Sequence, residues 1–452
     1  MSIELLNKDL RVEITYRQIL KIAIPISFAL LVPQLNFITN NIFLGHLGEE
    51  ELGTAGLTGV YYLIFAAIGY GLNNGLQALI SRRAGEGRVE EIGKLFSQGV
   101  RIAMMIAAAG ILITYFVAPY ILEFALHDPV REEKTMDFLR IRIWGLPFLF
   151  IYQMRNALLV GTNQSRYLIA GTAAETIANI FFDYTLIYGA WGFPEVGFNG
   201  AAIASIIAEA TGMFVVFLVI HLKGIAKRFV LYQGFRSDKV NTKLILSQSS
   251  PLIFQHAISI ISWVFFYILI EHHGRRDLAI SNTMRNIFGF FGVFTWAFAA
   301  TSNTMVSNVI GQGRKDQVMV LIGKIVRISL SIGLLVAAIL NIFPGVFLSI
   351  YGQGGDFVED AIPVVRIVSS ALVIMSFSVV WLNAVIGTGN PKVNLMIEVV
   401  AIVFYCIYNY TVLEYLNLPI TWGWASEWLY WGILFSLSYW YLKSGKWRDK
   451  VI

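Results

Sequence analysis

Apolar stretches of about 20 residues or more follow one another along the whole chain, each closed by a short polar or glycine-containing segment. That length is what a helix needs to cross the hydrocarbon core of a bilayer. Twelve such spans are read, at 18–45, 53–80, 97–126, 137–161, 167–189 and 199–222, then at 246–271, 279–310, 321–350, 361–387, 393–415 and 420–443. The two sets of six share one rhythm. Gly48 and Gly274 stand 226 positions apart, half of the 452 residues. The same offset pairs Pro25 with Pro251, His46 with His272, Ser81 with Ser307, Gly85-x-Gly87-Arg88 with Gly311-x-Gly313-Arg314, and Gly161-Thr162 with Gly387-Thr388. A gapless register through Gly, Pro and Arg marks an internal duplication. The pattern predicts an all-α polytopic membrane protein of twelve transmembrane helices in two duplicated lobes. An N-terminal six-helix lobe covers 1–222, a basic cytoplasmic linker 223–244, and a C-terminal six-helix lobe 245–452. Duplicated polytopic proteins are most often transporters, because two similar bundles can rock about a site held between them.

Composition agrees with a bilayer as solvent: 56% of residues are hydrophobic and 14% charged, with a mean hydropathy of +0.65. Lys and Arg collect in the even-numbered connections, at Arg82, Arg83, Arg88 and Lys94, at Arg166, at Lys227, Arg228, Arg236 and Lys239 of the linker, and at Arg314, Lys315 and Lys392. Cytoplasmic loops carry such an excess, so both termini are expected in the cytoplasm. The net charge of +5 then needs no nucleic-acid partner. The first span is expected to serve as the insertion signal. One cysteine, Cys406, excludes an internal disulfide and gives no metal-ligand spacing. There is no Gly-x-x-x-x-Gly-Lys-Ser/Thr loop for ATP and no His-Glu-x-x-His, and His272-His273 reads as a polar pair at a helix end. Neither an enzyme nor a cofactor protein is indicated.

Charges inside the spans remain to be explained. Each costs at least about 2.5–3.5 kcal/mol at mid-membrane, so such residues usually face a cavity and work there. Glu175, Asn179 and Asp183 of span 5 are spaced by four and fall on one drifting stripe of a helix. Ser205 and Glu209 of span 6 share that spacing. Together they predict a polar pocket in the first repeat that could hold H+ or Na+. The second repeat carries Asn409 where the first has Asp183, and Ala401 where it has Glu175, so the coupling chemistry is expected in the first. Arg155, Arg285 and Arg366 also fall inside spans, with charge pairing and cargo contact both open for the last two, and Glu398 lies in span 11. Pro25 and Pro33 give span 1 two places to bend, since each removes a backbone hydrogen bond.

These residues resemble the multidrug and toxic compound extrusion (MATE) family. The likeness is carried by Pro25, by Asn40-Asn41-Ile42-Phe43-Leu44-Gly45-His46-Leu47-Gly48, by Gly85-Glu86-Gly87-Arg88, by Asn179-x-x-x-Asp183, by Gly200-Ala201-Ala202-Ile203-Ala204-Ser205, and by Gly387-Thr388-Gly389-Asn390. The resemblance implies a V-shaped bundle with a central cargo cavity, in a prokaryotic plasma membrane. It implies a monomeric antiporter that exports organic cations or amphipathic drugs by alternating access, driven by inward H+ or Na+, with no cofactor. It is closer to the DinF-like branch, whose ion-site positions match Asn40, Asn179, Asp183 and Ser205, with Asn40 in place of the helix 1 Asp and Glu175 or Glu209 as helpers. Asp183 and Asn179 would hold a sodium ion. The carboxylate positions of the NorM-like branch are occupied here by Ser259 and Asn390, so its ion site is expected to be missing. A flippase for lipid-linked saccharides, from the same wider superfamily, is the alternative that the arginines keep open.

Overall fold

The computed structural model describes residues 10–125, 128–232, 237–349 and 355–450. Every expected span is a helix: α1 Tyr16–Gly45, α2 Glu49–Glu86, α3 Val89–Phe116, α4 Pro129–Gly161, α5 Leu168–Tyr188, α6 Phe198–Leu222, α7 Lys239–Glu271, α8 Arg275–Gly311, α9 Val318–Ile342, α10 Gly355–Gly387, α11 Pro391–Tyr415 and α12 Ser426–Lys443. No strand occurs among the described residues. Nine of these helices, among the described residues, are long and apolar enough on their own to cross a membrane; α5, α8 and α12 are not among them. The first two give helix positions to polar groups, Glu175, Asn179 and Asp183 in α5 and Ser302, Asn303, Thr304, Ser307 and Asn308 in α8, and most of these are buried. Their polar faces point into protein, so mean hydropathy undervalues them.

The duplication reaches into the backbone. Expected spans 3 and 9 both end early, α3 at Phe116 and α9 at Ile342, and short helices Ala118–Ala125 and Pro344–Ser349 follow. The two breaks lie at the same place in the repeat. Gly87 after α2 and Gly313 after α8 are likewise equivalent, with φ of 76° and 79°. There the Arg88 N–H donates to the Arg83 carbonyl (2.9 Å) and the Arg314 N–H to the Val309 carbonyl (3.1 Å). This is the left-handed C-terminal cap that glycine adopts without a Cβ penalty, and it accounts for the Gly-x-Gly-Arg recurrence. The linker has a buried counterpart to its basic surface: Phe229 and Leu231 are fully covered, and Ser97 Oγ donates to the Leu231 carbonyl at 2.6 Å. Arg236 of that linker, and Gly352 to Gly354 of the glycine-rich connection, lie outside the described residues.

Packing divides the chain into two compact units at positions other than the linker. One is Phe28–Ile253; the other joins the stretch ending at Ser27 to Phe254–Ile452. The expected division 1–222, 223–244 and 245–452 describes the repeat, whereas the packing exchanges the starts of α1 and α7. In the second unit, Asn308 Nδ2 donates to the Leu10 carbonyl (2.9 Å), its Oδ1 accepts the Val12 N–H (3.1 Å), and Lys324 Nζ donates to the Ile14 carbonyl (2.8 Å). In the first unit, Gln98, equivalent to Lys324, accepts from the Asp238 N–H and Thr242 hydroxyl at 3.3 Å each. Glycines let α7 lie directly on α2, since a Cβ on Gly71 would stand 2.7 Å from the Ile253 nitrogen and one on Gly75 2.9 Å from Ser249 Cα. Both exchanges end two residues after a proline, Pro25 in one case and Pro251 in the other. A proline lacks the N–H that would bond one turn back, which loosens the helix at that point.

Small residues also set the α5–α6 contact that carries the polar stripe. A Cβ on Gly171 would meet Val216 Cγ2 at 2.3 Å, one on Gly212 would meet Glu175 Cβ at 3.0 Å, and one on Gly200 would meet the Leu186 carbonyl oxygen at 2.6 Å. Between helices in a bilayer such close approach replaces the hydrophobic drive that water would provide. Gly200→Ala presses on rigid backbone and is expected to cost about 1–3 kcal/mol, read as a fall in the thermal midpoint of the detergent-solubilised protein. Gly432→Ala, where a Cβ meets nothing within 4 Å, is the matched control and should leave that midpoint within error.

Candidate functional site

On α5 the side chains facing away from protein are Ile177, Ile180, Phe181 and Tyr184, each at least 38% exposed, while Asn179 and Asp183 are at most 3% exposed. The helix is therefore apolar outward and polar inward, the reverse of a helix in water. The second half of α1 covers the polar side. The Tyr188 hydroxyl donates to the Phe43 carbonyl at 2.7 Å, and Leu44 packs on Ile187, Phe198, Ala201 and Ala202. These contacts bring Asn40 over the α5 stripe. With its amide nitrogen turned toward its neighbours, Asn40 meets the Asn36 carbonyl oxygen at 3.1 Å, Asn179 Oδ1 at 2.9 Å and Asp183 Oδ2 at 2.5 Å.

Counting donors against acceptors shows what this cluster lacks. An amide nitrogen has two hydrogens, so it cannot serve three acceptors fully. Asp183 Oδ1 and Asn36 Oδ1 are buried and have no hydrogen-bond partner among the described residues. Asn40, Asn179 and Asp183 thus converge in an acceptor-rich, donor-poor pocket, the arrangement that a proton or an oxygen-seeking cation would complete. Ser205 on α6 is half-buried, and no hydrogen bond among the described residues joins it to Asp183. Asn36, which the sequence reading did not single out, stands one turn before Asn40; a four-residue spacing on span 1 was the available signal.

Glu209 and Glu175 sit in a different electrostatic setting. Arg142 grips Glu209 with two prongs, Nη1 to Oε2 at 2.9 Å and Nη2 to Oε1 at 2.5 Å. The Tyr62 hydroxyl donates to the same carboxylate at 3.1 Å, and the guanidinium lies 3.6 Å from the Tyr62 ring centre. A Cβ at position 145 would stand 2.2 Å from Glu209 Oε2 and 2.3 Å from Arg142 Nη1, so a side chain there would displace the fork. Glu209 is thus ion-paired to a cation whose planar fork matches both carboxyl oxygens. Arg142 falls within the 137–161 span but was not singled out by the sequence reading, which did name Glu209; the rule that a charge in one span implies an opposite charge in another would have paired the two. Glu175 is half-buried beside Gly212 and interacts electrostatically with Glu209 and Arg142.

The remaining candidates are dispersed. Pro25 is buried and Pro33 exposed, both within an unbroken α1. Arg155 is buried, donates to the Met213 carbonyl and stacks 5.1 Å from the Phe217 ring centre, so its charge is engaged within the first unit. Arg285 and Arg366 are exposed in the second unit, Arg285 lying 5.5 Å from the Tyr267 ring centre, and neither forms an ion pair among the described residues. His272 contacts Glu414 at 2.9 Å, a polar pair at a helix end. No cluster of three or more His, Cys, Asp or Glu suited to a metal occurs among the described residues.

Fold and site together define a duplicated, multi-pass helical membrane protein with ionisable groups buried in hydrogen-bonded clusters. A family model described as MatE matches residues 25–185 and again 251–411, the same 226-residue offset that the sequence repeats. The chain belongs to the MATE family and is a transporter rather than an enzyme. Among curated proteins it is similar to a "Probable multidrug resistance protein NorM" of Thermotoga maritima, 22% identical over 96% of this chain and 94% of that one. A protein of the same name from Synechocystis sp. is 29% identical over 43% of this chain and 42% of that one. Among solved structures, one of a MATE in complex with MaL6 superposes with a TM-score of 0.90 at 17% identity, covering 97% of this chain and 98% of that one. A MOP superfamily transporter from Pyrococcus furiosus, described as having a binding pocket of reversed polarity, gives 0.88 at 17% identity over 98% and 99%.

Removing the Arg142 guanidinium would strand a buried carboxylate. Arg142→Gln is expected to destabilise the protein by about 3–5 kcal/mol, read by thermal unfolding in detergent. Adding Glu209→Gln should restore most of that loss. Equal instability of the single and double variants would show that the fork does not hold Glu209 charged.

Proposed function

We propose that the protein is an antiporter that exports organic cations or amphipathic drugs across a prokaryotic plasma membrane, coupled to inward H+ or Na+ and working by alternating access. The observation that carries this reading is the donor-poor cluster at Asp183, where three acceptors share one amide nitrogen and two further oxygens have no partner. An arriving proton bonds to Asp183 and gives the cluster the donor it lacks; a sodium ion would instead use Asp183 and Asn179 oxygens, with Ser205 reaching it as the pocket tightens. Either arrival changes the pull of Asp183 on Asn40, and so on the half of α1 beyond Pro33, which is where an ion's preference for one conformation would be expressed. Asn40 cannot ionise, so in this chain the charge change belongs to Asp183, with Glu175 as a nearby second carboxyl. The NorM relatives' printed names support the cargo class. Both termini lie in the cytoplasm on this reading, as the Lys and Arg distribution requires.

Transport of a cationic dye into proteoliposomes, under separately imposed pH and sodium gradients, tests the assignment. Asp183→Asn should abolish gradient-driven uptake while dye still equilibrates down its own gradient. Full gradient-driven transport by that variant would remove Asp183 from the coupling role.

A further inference from the structure

The second repeat holds a buried carboxyl that the scheme above does not use. Glu398 on α11 is 2% exposed. Its Oε1 accepts from Ser259 Oγ on α7 at 2.8 Å and from the Tyr430 hydroxyl on α12, and its Oε2 accepts from Gln255 Nε2 on α7 at 3.2 Å. Asn394, one turn earlier on α11, donates to Gln255 Oε1 and so fixes the Gln255 amide with its nitrogen toward Glu398. No Lys or Arg forms an ion pair with Glu398 among the described residues. The titratable groups around it are Tyr430 and, electrostatically coupled to Tyr430, Glu427 on α12. On α7, His256 adjoins Gln255, and α11 itself adds Tyr405, whose ring packs on Tyr430.

Two features separate this carboxyl from Glu209. First, a buried carboxylate without a counter-cation is costly to keep charged. Second, its partners can reverse roles. The two groups on Oε1 are hydroxyls, which can accept as well as donate, whereas a guanidinium can only donate. Ser259 Oγ already has another acceptor at 2.9 Å, the Gln255 carbonyl one turn back. If a proton bonds to Oε1, the Ser259 hydrogen can turn wholly to that carbonyl and its oxygen can accept from the new O–H, with no heavy atom displaced. Oε2 faces an amide N–H that cannot accept, so it stays the acceptor throughout.

We propose that Glu398, with Ser259, Gln255 and Tyr430, is a second proton site of this transporter: Oε1 takes a proton from water in one stage of the cycle and returns it to water in another. The inference deepens the reading of the protein as ion-coupled and rests on it. It places a proton-binding group in the repeat that lacks counterparts of Asp183 and Glu175. No redox change occurs: the carboxyl O–H forms as an O–H of hydronium breaks, leaving water, and the reverse happens on release. Sodium fits poorly, because of the three groups that bond Glu398 the Gln255 side chain presents nitrogen rather than oxygen.

Infrared difference spectroscopy of the full-length protein in lipid, recorded between mildly alkaline and mildly acidic pH, reads protonated carboxyls directly. Glu398→Gln should remove one component of the carboxyl signal, and Asp183→Asn a different one. Tyr430→Phe, which keeps the carboxyl and removes one reversible hydroxyl, should shift the pH at which the Glu398 component appears, giving a readout that a folding defect in Glu398→Gln does not mimic. In proteoliposomes Glu398→Gln should lose pH-gradient-driven dye uptake and keep downhill equilibration. A difference spectrum unchanged by Glu398→Gln and by Tyr430→Phe overturns the proposal whatever Asp183 does. Loss of the Glu398 component with an unchanged Asp183→Asn spectrum would retain the second site and overturn only the earlier assignment.

Discussion

Hydrocarbon offers no hydrogen bonds, so each polar group carried into the bilayer must be met by another part of the protein. That constraint arranges much of this molecule. It turns the polar stripe of α5 inward, leaves Ile177, Ile180, Phe181 and Tyr184 on the outside, and requires glycines at 171, 200 and 212 so that α6 can lie close enough to cover the stripe. It pairs Arg142 with Glu209 across two helices and turns Arg155 onto a carbonyl of α6. The Gly145 position shows how local the demand is, since a single methyl group there would intrude between carboxylate and guanidinium.

The duplication supplies a scaffold, and the departures from it supply chemistry. Caps, helix breaks and the contact made by Gln98 or Lys324 recur at equivalent places, because they answer the same backbone requirements in each half. The buried carboxyls do not recur. Asp183 faces Asn409, Glu175 faces Ala401, and Glu398 answers to Thr172, so each half buries its own carboxyls among its own partners. The exchange of the starts of α1 and α7, each ending just after a proline, is shared by both halves. A loosened turn at that point lets the two parts of one helix belong to different packing units without a loop in between.

Much of the architecture was legible in the residues. Twelve apolar spans, the 226-residue offset and the inward carboxyls could all be read because periodicity and hydropathy report on solvent, and the solvent here is lipid. The early ends of α3 and α9 were not, since apolar residues continue through Phe116-Val117-Ala118 and Ile342-Phe343 while the backbone does not. The helix exchange was also hidden, because hydropathy marks where a span lies and says nothing of which neighbours it packs on. At the site, spacing by four found Asn179 and Asp183 but could not weigh one carboxyl against another. That weighing depends on partners from distant helices, such as Arg142 for Glu209 and Tyr430 for Glu398.

Partner chemistry, more than depth of burial, decides what each carboxyl can do. Glu209 and Glu398 are both buried, yet the first meets a guanidinium, which can only donate, and the second meets two hydroxyls, which can donate or accept. Asp183 is held by an amide shared among too many acceptors, so a proton or cation relieves a shortage already present. The ion-coupled cycle proposed above has a use for both kinds of carboxyl. On the reading proposed above, ion-paired groups would keep helices in register through the cycle, while groups with reversible partners would register the arrival of an ion without the bundle having to unpack. In this chain the fork at Glu209 joins α6 to Arg142 of α4, and the carboxyls proposed to titrate lie on α5 and α11. The helices proposed to carry the charge change are thereby distinct from those that the ion pair clamps.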